Sequence, residues 1–128
     1  MASASYYKDL MNSYSKSRKS YEDRKSVYDA ALEKIKKLNN NLSDVSENLK
    51  LSEEYFHSGG YVDGGVTLDR GALKSNYTKI DNYSSELKEI INNTEIKIKE
   101  YNDKITYYKN LYIDAKKNYE RVKREEMK

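Results

Sequence analysis

The chain has 128 residues, a formal net charge of +3, one histidine, and no cysteine, proline or tryptophan. Without cysteine it can form neither a disulfide framework nor a thiolate zinc site, and one histidine excludes a multi-histidine metal site. No apolar run approaches the roughly 18 residues of a membrane-spanning helix, and the first eight residues lack the apolar core of a secretory signal. We therefore expect a non-enzymatic protein with no catalytic residues, metal or cofactor, no stable membrane insertion and no cleaved signal peptide.

A first long helix is predicted from about residue 4 to residue 57, a stretch with neither glycine nor proline. Apolar and tyrosine residues recur there at alternating steps of three and four, which is typical of a coiled coil. The predicted stripe consists of Tyr7, Leu10, Tyr14, Ser17, Tyr21, Arg24, Tyr28, Ala31, Ile35, Leu38, Leu42, Val45, Leu49, Ser52 and Phe56.

A glycine-rich loop is predicted at about residues 58–69, because all five glycines fall between Gly59 and Gly71. The two Gly-Gly pairs lack the following lysine and the preceding strand of a phosphate-binding loop, so we interpret the segment as a reversal of the chain. The lone His57 beside it is interpreted as a capping or surface residue, because no Ser-Asp constellation accompanies it.

A second long helix is predicted from about residue 70 to residue 126. Its stripe consists of Leu73, Tyr77, Ile80, Ser84, Leu87, Ile91, Thr94, Ile98, Tyr101, Ile105, Tyr108, Tyr112, Ala115, Tyr119 and Val122. If the chain folds back at the loop, stripe residues whose numbers sum to 129 face each other, for example Tyr28 and Tyr101. The sequence therefore predicts an all-α fold, in which residues 1–128 form one domain. That domain is an antiparallel, coiled-coil-like two-helix hairpin that completes a helical bundle with a partner.

Further apolar residues flank the two stripes and predict a partner-binding surface. Its candidate residues are Tyr83, Ile90, Tyr107 and Leu111 on the second helix and Val27 and Leu32 on the first. A lone hairpin has a thin core, so packing this surface on another helical protein would stabilise both. Scattered surface apolar residues are the alternative interpretation, and a homodimer is left open. The lysines of the second helix are diluted by acidic residues, so we expect no nucleic-acid partner.

Two near-equal helices around a glycine-rich turn resemble the WXG-type small helical proteins of type VII secretion in Gram-positive bacteria. The chain is most similar to the Lap-type proteins encoded beside LXG-domain toxins. The segment His57-Ser58-Gly59 stands where that family has its Trp-X-Gly turn, although the tryptophan is missing. The resemblance implies a cytoplasmic adaptor that binds the helical LXG domain of a toxin, or a second small helical protein, and is co-secreted with it.

The family's export signal has the pattern Tyr-x-x-x-Asp/Glu. Tyr77 and Asp81 match this spacing, although they lie at the start of the second helix. Near the C-terminus Tyr119 is followed at the fourth place by Lys123, which does not fit. Tyr77 and Asp81 are therefore the candidate export motif, and the resemblance also allows a signal carried by the partner alone.

Two other functions fit the same helical pattern. A prefoldin-like chaperone subunit also has two long antiparallel helices, but the loop here is short for the β-hairpin that assembles such subunits. A structural coiled-coil spacer would associate with itself and bind no other protein. Suppression of client aggregation would favour the chaperone, and self-association alone would favour the spacer.

Overall fold

The computed structural model describes residues 2–57 and 70–128, which form two long helices. Helix α1 spans Ala4–His57 and helix α2 spans Arg70–Glu126, with no strand in the described part of the chain. The helices pack against each other. They run antiparallel, because Ala4 contacts Glu126 while Ser46 contacts Asp81. The predicted all-α helical hairpin is therefore confirmed.

Ser3 begins α1 as its N-terminal cap. Its hydroxyl oxygen accepts a hydrogen bond of 3.2 Å from the backbone N–H of Tyr6, which satisfies one of the amides left free in the first turn. The N–H of Ala4 donates to the Glu126 carboxylate at 3.1 Å. Lys123 and Arg124 lie in the same last turn of α2 as Glu126, where positive charge interacts favourably with the helix dipole.

The contacts within the chain divide it into two compact units. The terminal unit comprises Met1–Ala30 and Glu95–Lys128, and the central unit comprises Ala31–Thr94. Each unit contains one segment of α1 and one of α2. Burial is incomplete throughout: among the described residues no large side chain is fully buried, because two helices alone leave every interhelical position open to solvent on one side.

Helix α2 places its predicted stripe between the helices. Every stripe position from Leu73 to Val122 is buried or half-buried, and Ser84, Ala115 and Val122 are buried. Serine and alanine are the small members of this stripe, so they allow the helices to approach closely at those positions. The three-four spacing of apolar residues was therefore sufficient to identify the inward face of α2.

Helix α1 places a partly different line of residues inward. Every seventh residue from Tyr7 to Leu49 is half-buried, as predicted. Four of the intervening predictions are wrong. Arg24, Leu38, Val45 and Ser52 are exposed, whereas the next residues, Lys25, Asn39, Ser46 and Glu53, are buried or half-buried. Residues three and four positions after a given helix residue lie on opposite sides of it. At these four places the predicted stripe took the residue three positions on, whereas the structure turns the residue four positions on toward α2.

Candidate functional site

The terminal unit is held together by a column of tyrosine rings. Tyr21 stacks on Tyr108 with ring centroids 5.8 Å apart and contacts Tyr101 at 6.0 Å. Tyr28 meets Tyr101 edge to face at 5.4 Å, and Tyr14 meets Tyr108 at 6.4 Å. Aromatic pairs at these separations add a favourable quadrupole interaction to the burial of their area. The pairs Tyr28–Tyr101 and Tyr21–Tyr108 are also those predicted from the sum of 129.

Three predicted partner-binding residues lie in the terminal unit. Val27 and Tyr107 are exposed, and Leu111 is half-buried. The ring of Tyr107 packs edge-on against the ring of Tyr108, with centroids 5.2 Å apart. Tyr107 therefore contacts one ring of the column. Tyr107 is therefore an ordered, exposed aromatic side chain, the type that is enriched at protein interfaces.

A pair formed by Tyr119 and Lys123 lies in the last turns of α2 in the same unit. The Lys123 ammonium donates a hydrogen bond of 3.0 Å to the Tyr119 hydroxyl oxygen. This hydrogen bond lowers the pKa of Tyr119 and raises the pKa of Lys123. Both side chains belong to one helix face, and the pair stabilises the end of α2 without defining a reactive group.

In the central unit, polar contacts join the described parts of the two helices. Ser46, only 2% exposed, donates its hydroxyl hydrogen to Asp81 Oδ1 at 2.5 Å. Lys50 Nζ donates to Asp81 Oδ2 at 2.8 Å. These hydrogen bonds, Lys50 first and Ser46 second, hold the pKa of Asp81 below its ordinary value. The Asp81 carboxylate thus joins the two helices by two charge-assisted hydrogen bonds.

A second polar contact lies further along the central unit. Ser84, 8% exposed, donates its hydroxyl hydrogen to Asn39 Oδ1 at 2.6 Å. A buried hydroxyl without a partner would destabilise the fold, so Asn39 and Ser84 must stay opposite each other. Together with the Ser46–Asp81 contact, this pair fixes the axial position of one helix against the other within the unit.

Tyr77 and Asp81, the candidate export motif, both contact α1. The Tyr77 hydroxyl donates a hydrogen bond to the Glu53 carboxylate, which raises the pKa of Tyr77. Lys50 Nζ lies 5.5 Å from the centroid of the Tyr77 ring, within cation–π range. The two residues therefore lie side by side in the central unit and are engaged with Glu53, Lys50 and Ser46. A receptor that read them would compete with these contacts.

The other three predicted partner-binding residues lie in the central unit. Tyr83 and Ile90 are exposed, and Leu32 is half-buried. Leu38 and Val45 are exposed as well, although the apolar pattern predicts them between the helices. Their neighbours Asn39 and Ser46 take those positions and bond to polar groups of α2. The presence of Ser84 and Asp81 on α2 was the available sequence signal for polar partners on α1.

The predicted turn motif His57-Ser58-Gly59 lies outside the described residues, apart from the backbone of His57 at the end of α1. The same holds for the rest of the glycine-rich loop through residue 69. Across residues 2–57 and 70–128 no group of three or more His, Cys, Asp or Glu side chains is placed to hold a metal ion. Neither α1 nor α2, over its described residues, has a segment long and apolar enough to cross a membrane.

Comparison with known proteins adds no relative from which a function could be transferred. No protein-family model matches the chain, no curated protein matches its sequence, and no solved structure matches its fold. The features that bear on function are therefore the exposed apolar residues of the two units and the resemblance in architecture noted above.

Proposed function

We propose that this chain is a non-enzymatic adaptor that binds another helical protein, and that its partner is the helical LXG-type domain of a toxin exported by type VII secretion. The observation that carries the binding role is the exposure of large apolar side chains in both units. Val27 and Tyr107 are exposed in the terminal unit and Tyr83 and Ile90 in the central unit. Burying such side chains against a partner contributes roughly 25 cal/mol for each Å² of apolar surface.

The thin interior of each unit supports the same proposal. In the described residues the buried hydrophobic side chains are only Ala4, Ala115 and Val122, all of small or medium size. A helical partner packed on the exposed side chains would supply the further apolar contacts that a third or fourth helix provides in a bundle. Binding would therefore stabilise the chain as well as recruit it.

The type VII part of the proposal depends on architecture and on two short segments. The chain has two long helices of similar length, and His57-Ser58-Gly59 stands at the end of α1. The spacing of Tyr77 and Asp81 fits the export pattern, but both side chains contact α1. In this proposal the export signal is carried by the partner, and the chain moves from the cytoplasm with it.

The test is affinity purification of the tagged chain from its native organism at endogenous expression, with partners quantified by mass spectrometry. A double variant, Ile90→Glu with Tyr107→Glu, places charge on one exposed apolar residue in each unit. Because both side chains are exposed, circular dichroism should still report a folded helical protein. The matched control is Leu51→Glu with Ile113→Glu, which also charges one exposed apolar residue in each unit, Leu51 on α1 and Ile113 on another face of α2.

We expect one stoichiometric partner with a long helical N-terminal domain, retained by the control and lost from the double variant. Recovery of many substoichiometric clients would support a prefoldin-like chaperone function instead. Recovery of the chain alone, with self-association through the helices, would support a spacer. Equal recovery of the partner by the variant and by the control would rule out the exposed residues as the binding surface.

A further inference from the structure

One side of the terminal unit is marked by a shallow groove between its two helices. The groove is lined by Glu22 and Asp29 of α1 and by Asn102 of α2, among others. Each of these three residues stands one position after a tyrosine of the ring column, so on both helices the side that follows the column faces the same way. Seven-residue steps keep to one side of the helix pair, as the half-buried residues from Tyr7 to Tyr28 show.

Toward the chain ends this side carries a line of lysines. Three exposed lysines follow Asn102 at seven-residue steps along α2: Lys109, Lys116 and Lys123. On α1, Lys8 lies two such steps before Glu22 and is exposed as well. The pKa of Tyr119 is lowered by the hydrogen bond from Lys123 and also by the charge of Lys8, so Lys8 lies close to the end of the lysine line. We call the surface defined by these four lysines the basic side.

Positive charge exceeds negative charge on the basic side. Over residues 5–22 and 106–126 it carries six cations, namely the four lysines with Arg18 and Lys19, against the three carboxylates Glu22, Glu120 and Glu126. Two of these carboxylates are engaged within the chain: Glu22 pairs with Arg18 at 2.8 Å, and Glu126 accepts the N–H of Ala4 at 3.1 Å. The third, Glu120, lies at the outer edge of the surface.

The opposite side of the same stretch has no such excess. It carries the two cations Lys16 and Arg121 and the three carboxylates Asp9, Asp114 and Glu125. It also carries Tyr107, which precedes the inward Tyr108 just as Lys109 follows it. The two remaining cations, Lys117 and Arg124, lie on the outward face of α2. The excess positive charge beside the helix pair is therefore concentrated on the basic side.

The lysines of the basic side are available to an anionic ligand. Lys109 and Lys116 form no ion pair with any residue of the described part of the chain. The Tyr119 hydroxyl accepts a hydrogen bond of 3.0 Å from Lys123, which leaves its own hydrogen free to donate, and the ammonium keeps two further N–H groups. A carboxylate placed here would receive charge-assisted hydrogen bonds and reduce the repulsion among the lysines.

The spacing of the lysines favours an acidic helix over a nucleic acid or a membrane. A helix with a carboxylate at every seventh position can meet Lys109, Lys116 and Lys123 together. Nucleic-acid binding would gain from exposed rings for base stacking, but Tyr119 is half-buried and Lys123 lies over its ring at 5.3 Å. Aromatic rings anchor proteins at membrane surfaces, but the exposed ring of Tyr107 lies on the opposite side.

A second copy of this chain does not offer a matching line of carboxylates. Within α1 and α2 only two pairs of acidic residues stand seven positions apart, Glu22 with Asp29 and Glu47 with Glu54, and neither pair continues to a third. A second copy would therefore match at most two of the three lysines of α2. Charge complementarity thus favours another protein as the occupant.

We propose that the basic side of the terminal unit binds an acidic helix of another protein, one with Asp or Glu at three successive seven-residue steps that pair with Lys109, Lys116 and Lys123. Lys8 and the Tyr119 hydroxyl complete the contact at the chain ends. This inference goes beyond the proposed function, because it adds an electrostatic binding surface on the side of the terminal unit opposite Tyr107.

The test measures binding of three synthetic helical peptides of equal length to the full-length chain by fluorescence anisotropy. The first has three glutamates at seven-residue steps, the second has the same composition with its glutamates on different faces, and the third has lysines in their place. We expect the first to bind about fivefold more tightly than the second, because only it aligns three ion pairs, each of which is weak alone. The lysine peptide should not bind, and added salt should weaken binding of the first.

Charge reversal of the basic side should remove this preference. Lys109→Glu with Lys116→Glu is expected to abolish binding of the aligned glutamate peptide, and Lys109→Gln with Lys116→Gln to weaken it less. The matched control, Lys117→Glu with Arg124→Glu, makes the same change of charge at the same spacing on the outward face of α2 and should retain the preference. Circular dichroism should be alike for all variants, because the four side chains are exposed.

Equal binding of the two glutamate peptides, or equal losses in the variant and its control, would overturn the inference. Tighter binding of a DNA duplex, or of vesicles of phosphatidylserine and phosphatidylcholine, would also overturn it and assign the basic side to phosphate groups. A dimer of the chain alone that Lys109→Glu with Lys116→Glu dissociates would assign it to a second copy. The variant Ile90→Glu with Tyr107→Glu should bind the aligned peptide as the wild type does, so its loss of the natural partner tests the proposed function separately.

Discussion

The terminal and central units join their helix segments with different chemistry. In the terminal unit aromatic rings pack between the helices, with Tyr14, Tyr21 and Tyr28 on α1 against Tyr101 and Tyr108 on α2. In the central unit hydrogen bonds to Asp81 and Asn39 cross between the helices. Ring contacts are broad and tolerate small shifts, whereas a hydroxyl and its acceptor must meet at one distance. Ring packing therefore contributes to the stability of the terminal unit, and hydrogen bonds define how the two helix segments of the central unit align.

Removing a ring from the terminal unit is expected to have the largest effect. Tyr21→Ala deletes the ring that contacts both Tyr101 and Tyr108, and the side chain is half-buried. We expect the free energy of unfolding to fall by about 2 kcal/mol, below the 3–5 kcal/mol typical of a fully buried aromatic residue. Urea unfolding followed by circular dichroism measures it. Tyr21→Phe, which keeps the ring, is the control, and equal losses for both variants would contradict the role of ring packing.

Breaking the second polar contact of the central unit is expected to have an intermediate effect. Ser84→Ala and Asn39→Ala each remove one partner of the same hydrogen bond, so the double variant should lose less than the two single variants together. We expect a coupling free energy of about 1 kcal/mol in a double-mutant cycle measured by urea unfolding. The higher helix propensity of alanine contributes equally to the single and double variants, so it cancels from the coupling free energy. Strictly additive losses would show that the two side chains do not stabilise each other, and Ser85→Ala with Asn39→Ala is the matched control.

Acid should act on the central unit through Asp81, with the smallest of the three effects because this residue is partly solvent-exposed. Its pKa is lowered in the folded protein by Lys50 and Ser46. Its stabilising contribution is therefore present above the ordinary Asp pKa of about 3.9 and is lost as pH falls through the lowered value. The melting temperature of the wild type should exceed that of Asp81→Asn near neutral pH, and the difference should shrink in acid.

Asp44 is an exposed carboxylate in the same unit. The variant Asp44→Asn is therefore the control for the effect of removing one negative charge. It should change the melting temperature little, and by a similar amount at both ends of the pH range. A gap between the wild type and Asp81→Asn that stayed constant from neutral pH to about pH 2, below the ordinary pKa range of carboxylates, would contradict the assignment of the acid response to Asp81.

The same difference in chemistry explains what the sequence predicts and what it does not. The hairpin fold and the inward face of α2 follow from the three-four spacing of apolar and tyrosine residues. On α1 that pattern failed in the central unit, where Ser46 and Asn39 lie inward and Val45 and Leu38 do not. The apolar pattern favours Leu38 and Val45 over their polar neighbours, whereas the hydrogen bonds offered by Asp81 and Ser84 place Ser46 and Asn39 inward. Those bonds become visible only when both helices are in place.

The candidate site was predicted in part for the same reason. Tyr83, Ile90, Tyr107 and Val27 were identified from their flanking heptad positions, and the structure exposes them. Leu38 and Val45 were not predicted, because the apolar pattern assigns a leucine or valine next to an interhelical position to the helix interface. The assignment of a partner to these residues stays a prediction until binding is measured.

The tyrosines also make the chain an optical reporter of binding. With no tryptophan in the chain, all of its intrinsic near-ultraviolet emission comes from tyrosine, and rings 5.4–6.4 Å apart exchange excitation readily. A tryptophan brought close by a bound partner would receive that energy and shift the emission to longer wavelength. Association could thus be followed without a label, and the shift in emission would report a partner tryptophan close to tyrosines of this chain, separately from any change in helix content.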